Sequence, residues 1–310
     1  MRLVFFGTPD FAVPSLLALL EEGFDVAAVV TQPDRARGRS RSTVFPPPVK
    51  EAALAEGLMV LQPERPSDPL LLETLRANAP ALGVVVAYGH ILEPDLLALP
   101  VHGMVNVHAS LLPALRGAAP IQHAILQGLE QTGVTIMRMD AGMDTGPILH
   151  QIPTPIATDE TAGELEVRLA ELGALALIEA LSLMDARALH SRTQEHELAT
   201  YAPKITSEMA RIRWDEPAAR IARQVRAFDP RPGAWTFIEG RRVKLYGPRP
   251  AGFPPTTAAP GLIVESDPAF VVATGEGALQ FLDVQPEGKT RVAAGDWVRG
   301  RAAGVGDRFV

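Results

Sequence analysis

The chain contains no cysteine, which excludes disulfides, thiolate metal sites and a thiol nucleophile. It also lacks a Gly-x-Ser-x-Gly elbow, so the usual hydroxyl route to a covalent acyl-enzyme has no signature either. The seven histidines include no His-Glu-x-x-His spacing, and no metal is expected. Gly288-Lys289-Thr290 ends like a phosphate-binding loop, but Asp283 stands where the first glycine must be and no helical pattern follows. Apolar runs such as Leu82–Ala87 are far shorter than a membrane span, and Met1-Arg2 leads into Leu3–Phe6 and a turn rather than a secretory segment. These absences predict a cytoplasmic protein.

What is present is enough apolar residue for two cores: 47% of 310 residues are hydrophobic, although only 5% are aromatic. Charge is uneven. Residues 1–200 carry 13 Lys and Arg against 24 Asp and Glu, a net of −11, whereas residues 201–310 carry 16 against 12, a net of +4. Two readings stay open for the basic part, a face toward a polyanion or ordinary solvation.

Up to about residue 185 short apolar runs alternate with amphipathic ones, the pattern of βαβ units. Strands are expected at Leu3–Phe6, Val26–Val30, Met59–Leu61, Leu82–Ala87, Gly103–His108 and Gly133–Met139, with a further apolar piece near Gly146–Gln151. Asp68 before Pro69 marks a helix start, and Thr161-Ala162-Gly163-Glu164 is a capping box opening a helix to about Asp185. Residues 189–207 read as a polar linker. Beyond it come a helix near Pro217–Ala227 and five short strands separated by Gly and Pro. The expected architecture is a doubly wound, mostly parallel, Rossmann-like α/β domain (1–188), a linker (189–207) and a C-terminal OB-like β-barrel (208–310).

Asn106 and His108 close one of the strands, and Asp144 lies in Asp140-Ala141-Gly142-Met143-Asp144-Thr145-Gly146. Taken singly, the first two read as a strand-end cap and a satisfied buried histidine. Together, an amide and an imidazolium two residues apart can face one developing oxyanion while a carboxylate from another loop orients the imidazole and handles protons. That set suits acyl transfer to an incoming amine with no enzyme nucleophile.

The string Asn106-Val107-His108-Ala109-Ser110-Leu111-Leu112-Pro113 is followed by Arg116-Gly117-Ala118-Ala119-Pro120. With Phe6–Phe11, Thr31–Arg35, Val86–Gly89, Asp140–Gly146, Ala202–Ile205 and Arg226–Ala234, it resembles the folate-dependent formyltransferases over nearly the whole length, and the flanking strings resemble the branch that acts on tRNA. The resemblance implies a 10-formyltetrahydrofolate donor, an acceptor amine on the methionine of initiator methionyl-tRNA, and a monomer. It carries catalysis onto Asn106, His108 and Asp144, and folate contact onto Ser110, Leu111, Leu112 and Pro113. It also places the pterin ring against the Tyr88–Leu92 stretch, where Ile91 and Leu92 either line the slot or anchor the next helix.

Arg35, Arg37, Arg39 and Arg41 put four guanidinium groups into seven residues of an acidic domain, a poor core but a good clamp for phosphates and base edges. In the family this loop probes the tRNA acceptor end. Aligned on Gly38, Arg39 matches the key arginine, although Ser40-Arg41-Ser42-Thr43 stands where the enterobacterial form has lysines. Lys204, Arg241, Arg242, Lys244 and Arg249 could follow the phosphate backbone, or be plain surface charge. The rival readings are a related formyltransferase acting on a sugar amine or nucleotide amine, and a tRNA-binding protein with a dead site. The basic module argues against the first, the intact Asn, His and Asp against the second.

Overall fold

The computed structural model describes residues 1–37, 43–251, 258–300 and 303–310. The chain forms two compact units: residues 1–120, 131–155 and 166–202 make the first, residues 121–130, 156–165 and 203–310 the second.

In chain order the elements up to residue 185 are β1 (Arg2–Gly7), α1 (Val13–Glu21), β2 (Asp25–Val30), β3 (Arg35–Arg37), β4 (Thr43–Phe45), α2 (Pro48–Ala55), β5 (Val60–Leu61), α3 (Pro69–Asn78), β6 (Leu82–Val86), α4 (Pro94–Leu97), β7 (Met104–His108), α5 (Pro120–Gln127), β8 (Gln131–Arg138), β9 (Ile148–Pro155) and α6 (Ala162–Asp185). Seven strands form one sheet in the order β5-β2-β1-β6-β7-β8-β9. The first five run parallel, and β8 and β9 are antiparallel additions. From β1 the chain winds outward to β2 and β5, then crosses back to β6 and β7. The order therefore reverses between β1 and β6, and ligands of such sheets bind beyond the carboxyl ends of the strands at that reversal.

Burial accounts for the local choices. β6 is buried along its whole length, as its unbroken apolar run requires. Val4, Phe6, Val30, Val85 and Met104 pack in one core with Leu71 and Leu75 of α3 and Leu96 of α4. The Asp68 carboxylate accepts from Leu70 N at 2.9 Å and caps α3. α6 opens with the expected box: Glu164 accepts the Thr161 N–H at 2.9 Å, and the Glu164 N–H donates to the Thr161 hydroxyl at 3.3 Å.

Two segments differ from their sequence reading. The arginine-rich insertion contains a short antiparallel ribbon, with Arg35 opposite Phe45 and Ala36 opposite Val44; three-residue strands are too short for alternation to show. The first part of the expected linker is laced into the first unit. Arg192 exchanges backbone bonds with Ile148 at 2.8 Å, Arg116 N donates to Thr200 O at 2.9 Å, and Ala202 N donates to Arg116 O at 2.7 Å. Individual bonds of this kind leave no hydrophobic period.

The second unit holds α7 (Ala218–Ala227), β10 (Trp235–Ile238), β11 (Arg241–Pro250), β12 (Ile263–Glu265), β13 (Val271–Ala273), β14 (Ala278–Pro286), β15 (Val292–Ala293) and α8 (Ala294–Arg299). The strands form an antiparallel sheet in the order β10-β11-β14-β13-β12, with β15 on β14. The last residues bond both edges: Val310 exchanges backbone bonds with Phe237 of β10, Phe309 N donates to Gly261 O, and Ile263 N of β12 donates to Asp307 O. The tail thus joins the two edge strands, which leaves neither open for pairing with another chain. Trp214, Phe270, Phe281, Trp297 and Phe309 cluster in this unit, Trp214 stacking on Phe309 at 5.5 Å. Among the described residues no helix is long and apolar enough to cross a membrane.

Candidate active site

Asn106 and His108 lie at the carboxyl end of β7, and the alternation of side chains along a strand puts both on one face, about 7 Å apart. Asn106 is half-buried, and among the described residues no partner takes its side-chain amide. His108 is only 6% exposed. Its Nε2 lies 3.1 Å from Leu115 O, and its Nδ1 lies 3.7 Å from Asp144 Oδ2. A carbonyl only accepts, so the first contact requires the hydrogen on Nε2. Nδ1 is then the nitrogen left to take and release a proton, and a carboxylate stands beside it.

Asp144 comes from the loop between β8 and β9 and adopts a left-handed backbone, φ 53°. Its Oδ2 accepts the Gly117 N–H at 2.8 Å. Gly117 has φ 115°, and a Cβ there would lie 2.8 Å from Ala202 O, so the amide that holds the carboxylate needs a glycine. Leu115 and Gly117, two residues apart, thus hold the imidazole and the carboxylate.

The turn after His108 is pinned from β8 and β9. Thr135 Oγ1 donates to Ser110 O at 2.6 Å and accepts the Leu112 N–H at 3.0 Å, while Gln151 Nε2 reaches Leu112 O at 3.0 Å. The buried Ser110 hydroxyl donates to Ala114 O at 2.6 Å, and Leu112 is buried against Met137 and Ile148. Leu111 and Pro113 are half-buried, Leu92 is buried in the core, and Ile91 is 87% exposed.

Beyond β6, Tyr88 is buried edge-on to Phe6, and its hydroxyl has no partner among the described residues. Burial pushes its pKa up to about 12. Tyr88 O accepts from Thr8 Oγ1 at 3.0 Å and Gln32 Nε2 at 2.9 Å. Ala87 and Gly89, exposed on either side, both have positive φ, and a Cβ on Gly89 would meet Gln32 Nε2 at 2.5 Å. The strand end therefore carries exposed backbone at Ala87 and Gly89 beside the Gln32 side-chain amide, polar groups of the kind that suit the edge of a flat heterocycle.

Arg35 is exposed at the start of the β3–β4 ribbon and Arg37 pairs through its backbone; Arg39 and Arg41 lie outside the described residues. Asp34 anchors the base of the ribbon, accepting Gln62 Nε2 at 2.7 Å and Lys50 Nζ at 2.7 Å. The Gln62 amide, and after it the Lys50 ammonium, hold its carboxyl below the usual range.

In the second unit the basic residues divide. Lys244 Nζ donates to Pro232 O at 2.6 Å, Arg249 pairs with Asp159 at 2.8 Å, and Arg242 lies 4.0 Å over the Trp235 ring. Lys204 and Arg241 are exposed, and neither has a side-chain partner among the described residues. A cleft of about 550 Å³ in this unit is lined by Arg226, Arg249 and Arg291 but equally by Asp159, Glu164 and Asp229. Arg291 pairs with Asp229 at 3.1 Å, so the lining carries its own counter-charges. Burial nevertheless pushes the Asp229 carboxyl up.

Sequence reasoning singled out Asn106, His108 and Asp144 but not what holds His108 and Asp144. The Leu115 carbonyl and Gly117 amide are backbone atoms without a residue signature, Thr135 and Gln151 read as ordinary strand positions, and Gln194 sat in a polar aperiodic stretch. Gln194 is buried and donates to Asp144 O at 2.9 Å and Gly146 O at 2.7 Å.

Residues 1–181 match the family described as Formyl transferase, and residues 204–302 match Formyl transferase, C-terminal domain. The methionyl-tRNA formyltransferase of Moorella thermoacetica is 48% identical over 97% of this chain and 96% of its own length. That of Myxococcus xanthus is 47% identical over 99% and 97%. Among solved structures, an N-formyltransferase from Helicobacter canadensis, in complex with folinic acid and dTDP-3-aminofucose, superposes with a TM-score of 0.70 at 19% identity, over 92% of this chain and 99% of that one. A polar trio at the carboxyl end of a mostly parallel sheet, a second antiparallel unit and near-full-length identity agree: this chain belongs to the formyl transferase family.

Proposed function

We propose that this chain transfers the formyl group of 10-formyltetrahydrofolate to the α-amine of methionine on initiator tRNA, as a cytoplasmic monomer. The observation that carries the chemistry is the approach of His108 Nδ1 to Asp144 Oδ2 at 3.7 Å, near the Asn106 amide, which has no partner among the described residues. What favours charged tRNA over a sugar or nucleotide amine is identity of 47–48% to relatives named for that substrate, running through both units.

10-Formyltetrahydrofolate supplies an activated formyl carbon on N10, and N10 regains a proton as its bond to that carbon breaks. Asn106 donates its amide hydrogens to the formyl oxygen as negative charge grows there; one such donor is worth about 100- to 1,000-fold in turnover. Asp144 Oδ2 draws the proton from the attacking amine, and His108 Nδ1, still tied to Leu115 O through Nε2–H, carries it as imidazolium and releases it to the leaving N10 directly or through water. The exposed backbone at Ala87 and Gly89, with Leu111, Pro113 and Ile91, offers the pterin a flat slot, while Ser110, Leu112 and Leu92 shape its walls from inside. Arg35, Arg37, Arg39 and Arg41 with Lys204 supply cations for the acceptor arm.

Incubation with labelled 10-formyltetrahydrofolate and a panel of methionyl-tRNA, free methionine and sugar amines tests the reading. Label should enter only methionyl-tRNA; label on a sugar amine and not on tRNA overturns it.

A further inference from the structure

Arg116 is 2% exposed, one of the largest fully buried side chains, yet its side-chain partners among the described residues include no carboxylate. Its Nε and Nη2 donate to a single oxygen, Gln194 Oε1, at 3.1 and 2.6 Å, and Nη2 also meets His196 Nδ1 at 3.2 Å. A guanidinium cannot accept and a carbonyl cannot donate, so the orientation of the Gln194 amide is settled by chemistry: oxygen toward Arg116, nitrogen toward Asp144 O and Gly146 O. Gln194 thus turns the donors of one buried cation into two donors on carbonyls of the loop that carries Asp144.

A buried guanidinium without a carboxylate is costly, and a core serving stability alone would place an apolar side chain there. The arrangement lies against a carboxyl-bearing residue held at φ 53°, where a bond to its own carbonyl sets the direction of its side chain. We infer that Arg116 and Gln194 are positioning residues for transfer: through the Asp144 and Gly146 carbonyls they hold the Asp144 carboxylate against His108 Nδ1. The carboxylate of Asp144 is then held by the Gly117 amide on Oδ2 and its carbonyl by Gln194, which the neighbouring Arg116 holds in turn.

The inference rests on the role given to Asp144, and the test separates the two. Gln194→Glu is isosteric and keeps the Arg116 contact, now as a charge pair, but removes both donors to the loop. Turnover should fall on the order of 100-fold, the cost of misplacing a reacting group by about 1 Å, with KM for folate and for methionyl-tRNA within twofold of wild type. In an Asp144→Asn background the same substitution should cost less than threefold, because residues that act through one another are not additive. A Gln194→Glu enzyme with wild-type turnover, beside an Asp144→Asn enzyme of strongly reduced but measurable turnover, overturns this inference and leaves the site reading standing. Equal losses in both backgrounds, or a rise in KM and a fall in melting temperature along with the loss of turnover, mark a merely structural contact and also overturn it. An Asp144→Asn enzyme with wild-type turnover overturns both.

Discussion

Leu115 O accepts the Nε2–H of His108 at 3.1 Å, and that one bond decides which side of the imidazole faces Asp144. With Nε2 committed, Nδ1 is the nitrogen turned toward the carboxylate, 3.7 Å away. A strand-end histidine would otherwise be free to present either nitrogen.

His108→Ala should lower turnover about 100- to 10,000-fold, the usual worth of a positioned proton carrier, while methionyl-tRNA binding is retained. Single-turnover formylation beside equilibrium tRNA binding makes the check. A variant that still turns over near the wild-type rate would remove His108 from the reaction.

Gly117→Ala introduces a side chain at φ 115° and puts its Cβ 2.8 Å from Ala202 O. The backbone must shift, at about 1–3 kcal/mol, and the amide that serves Asp144 Oδ2 shifts with it. Urea unfolding and turnover should both decline, with activity lost more than stability alone accounts for at the assay temperature.

Thr161→Ala should destabilise the protein by about 0.5–2 kcal/mol through loss of the α6 cap. The Thr161 N–H, and then its hydroxyl, hold the Glu164 carboxyl below its ordinary range. A carboxyl depressed in the folded state stabilises above its unfolded pKa, and that contribution is lost as pH falls through the folded value. The difference between wild type and Glu164→Ala should therefore be largest at neutral pH and shrink under acid, as denaturant titrations across pH would show.

Affinity for charged tRNA should fall steeply with salt as neutralised phosphates release counterions. Lys204→Ala should reduce the slope of log affinity against log salt by about 1, because that ammonium is exposed and without a partner among the described residues. Lys244→Ala should leave the slope unchanged, since Lys244 Nζ is committed to Pro232 O. Equal effects of the two would contradict this division of the basic residues.

Much of this protein is legible in its sequence. Unbroken apolar runs such as Leu82–Val86 mark strands buried on both faces, Asp68-Pro69 and Thr161–Glu164 mark helix starts, and Asn-x-His at a strand's carboxyl end puts two polar groups on one face where such sheets bind ligands. These are local rules of period and residue type, and the chain carries them along its length.

What only the tertiary structure decided is how the trio is held. The Gly117 amide meets a carboxylate 27 residues away, and Gln194 reaches the Asp144 carbonyl across 50 residues from a stretch with no period to announce it. Backbone N–H and C=O groups are common to nearly every residue, so their long-range partners leave no mark in composition or spacing. Only folding brings them within bonding distance, and there they choose the nitrogen of His108 and the direction of Asp144.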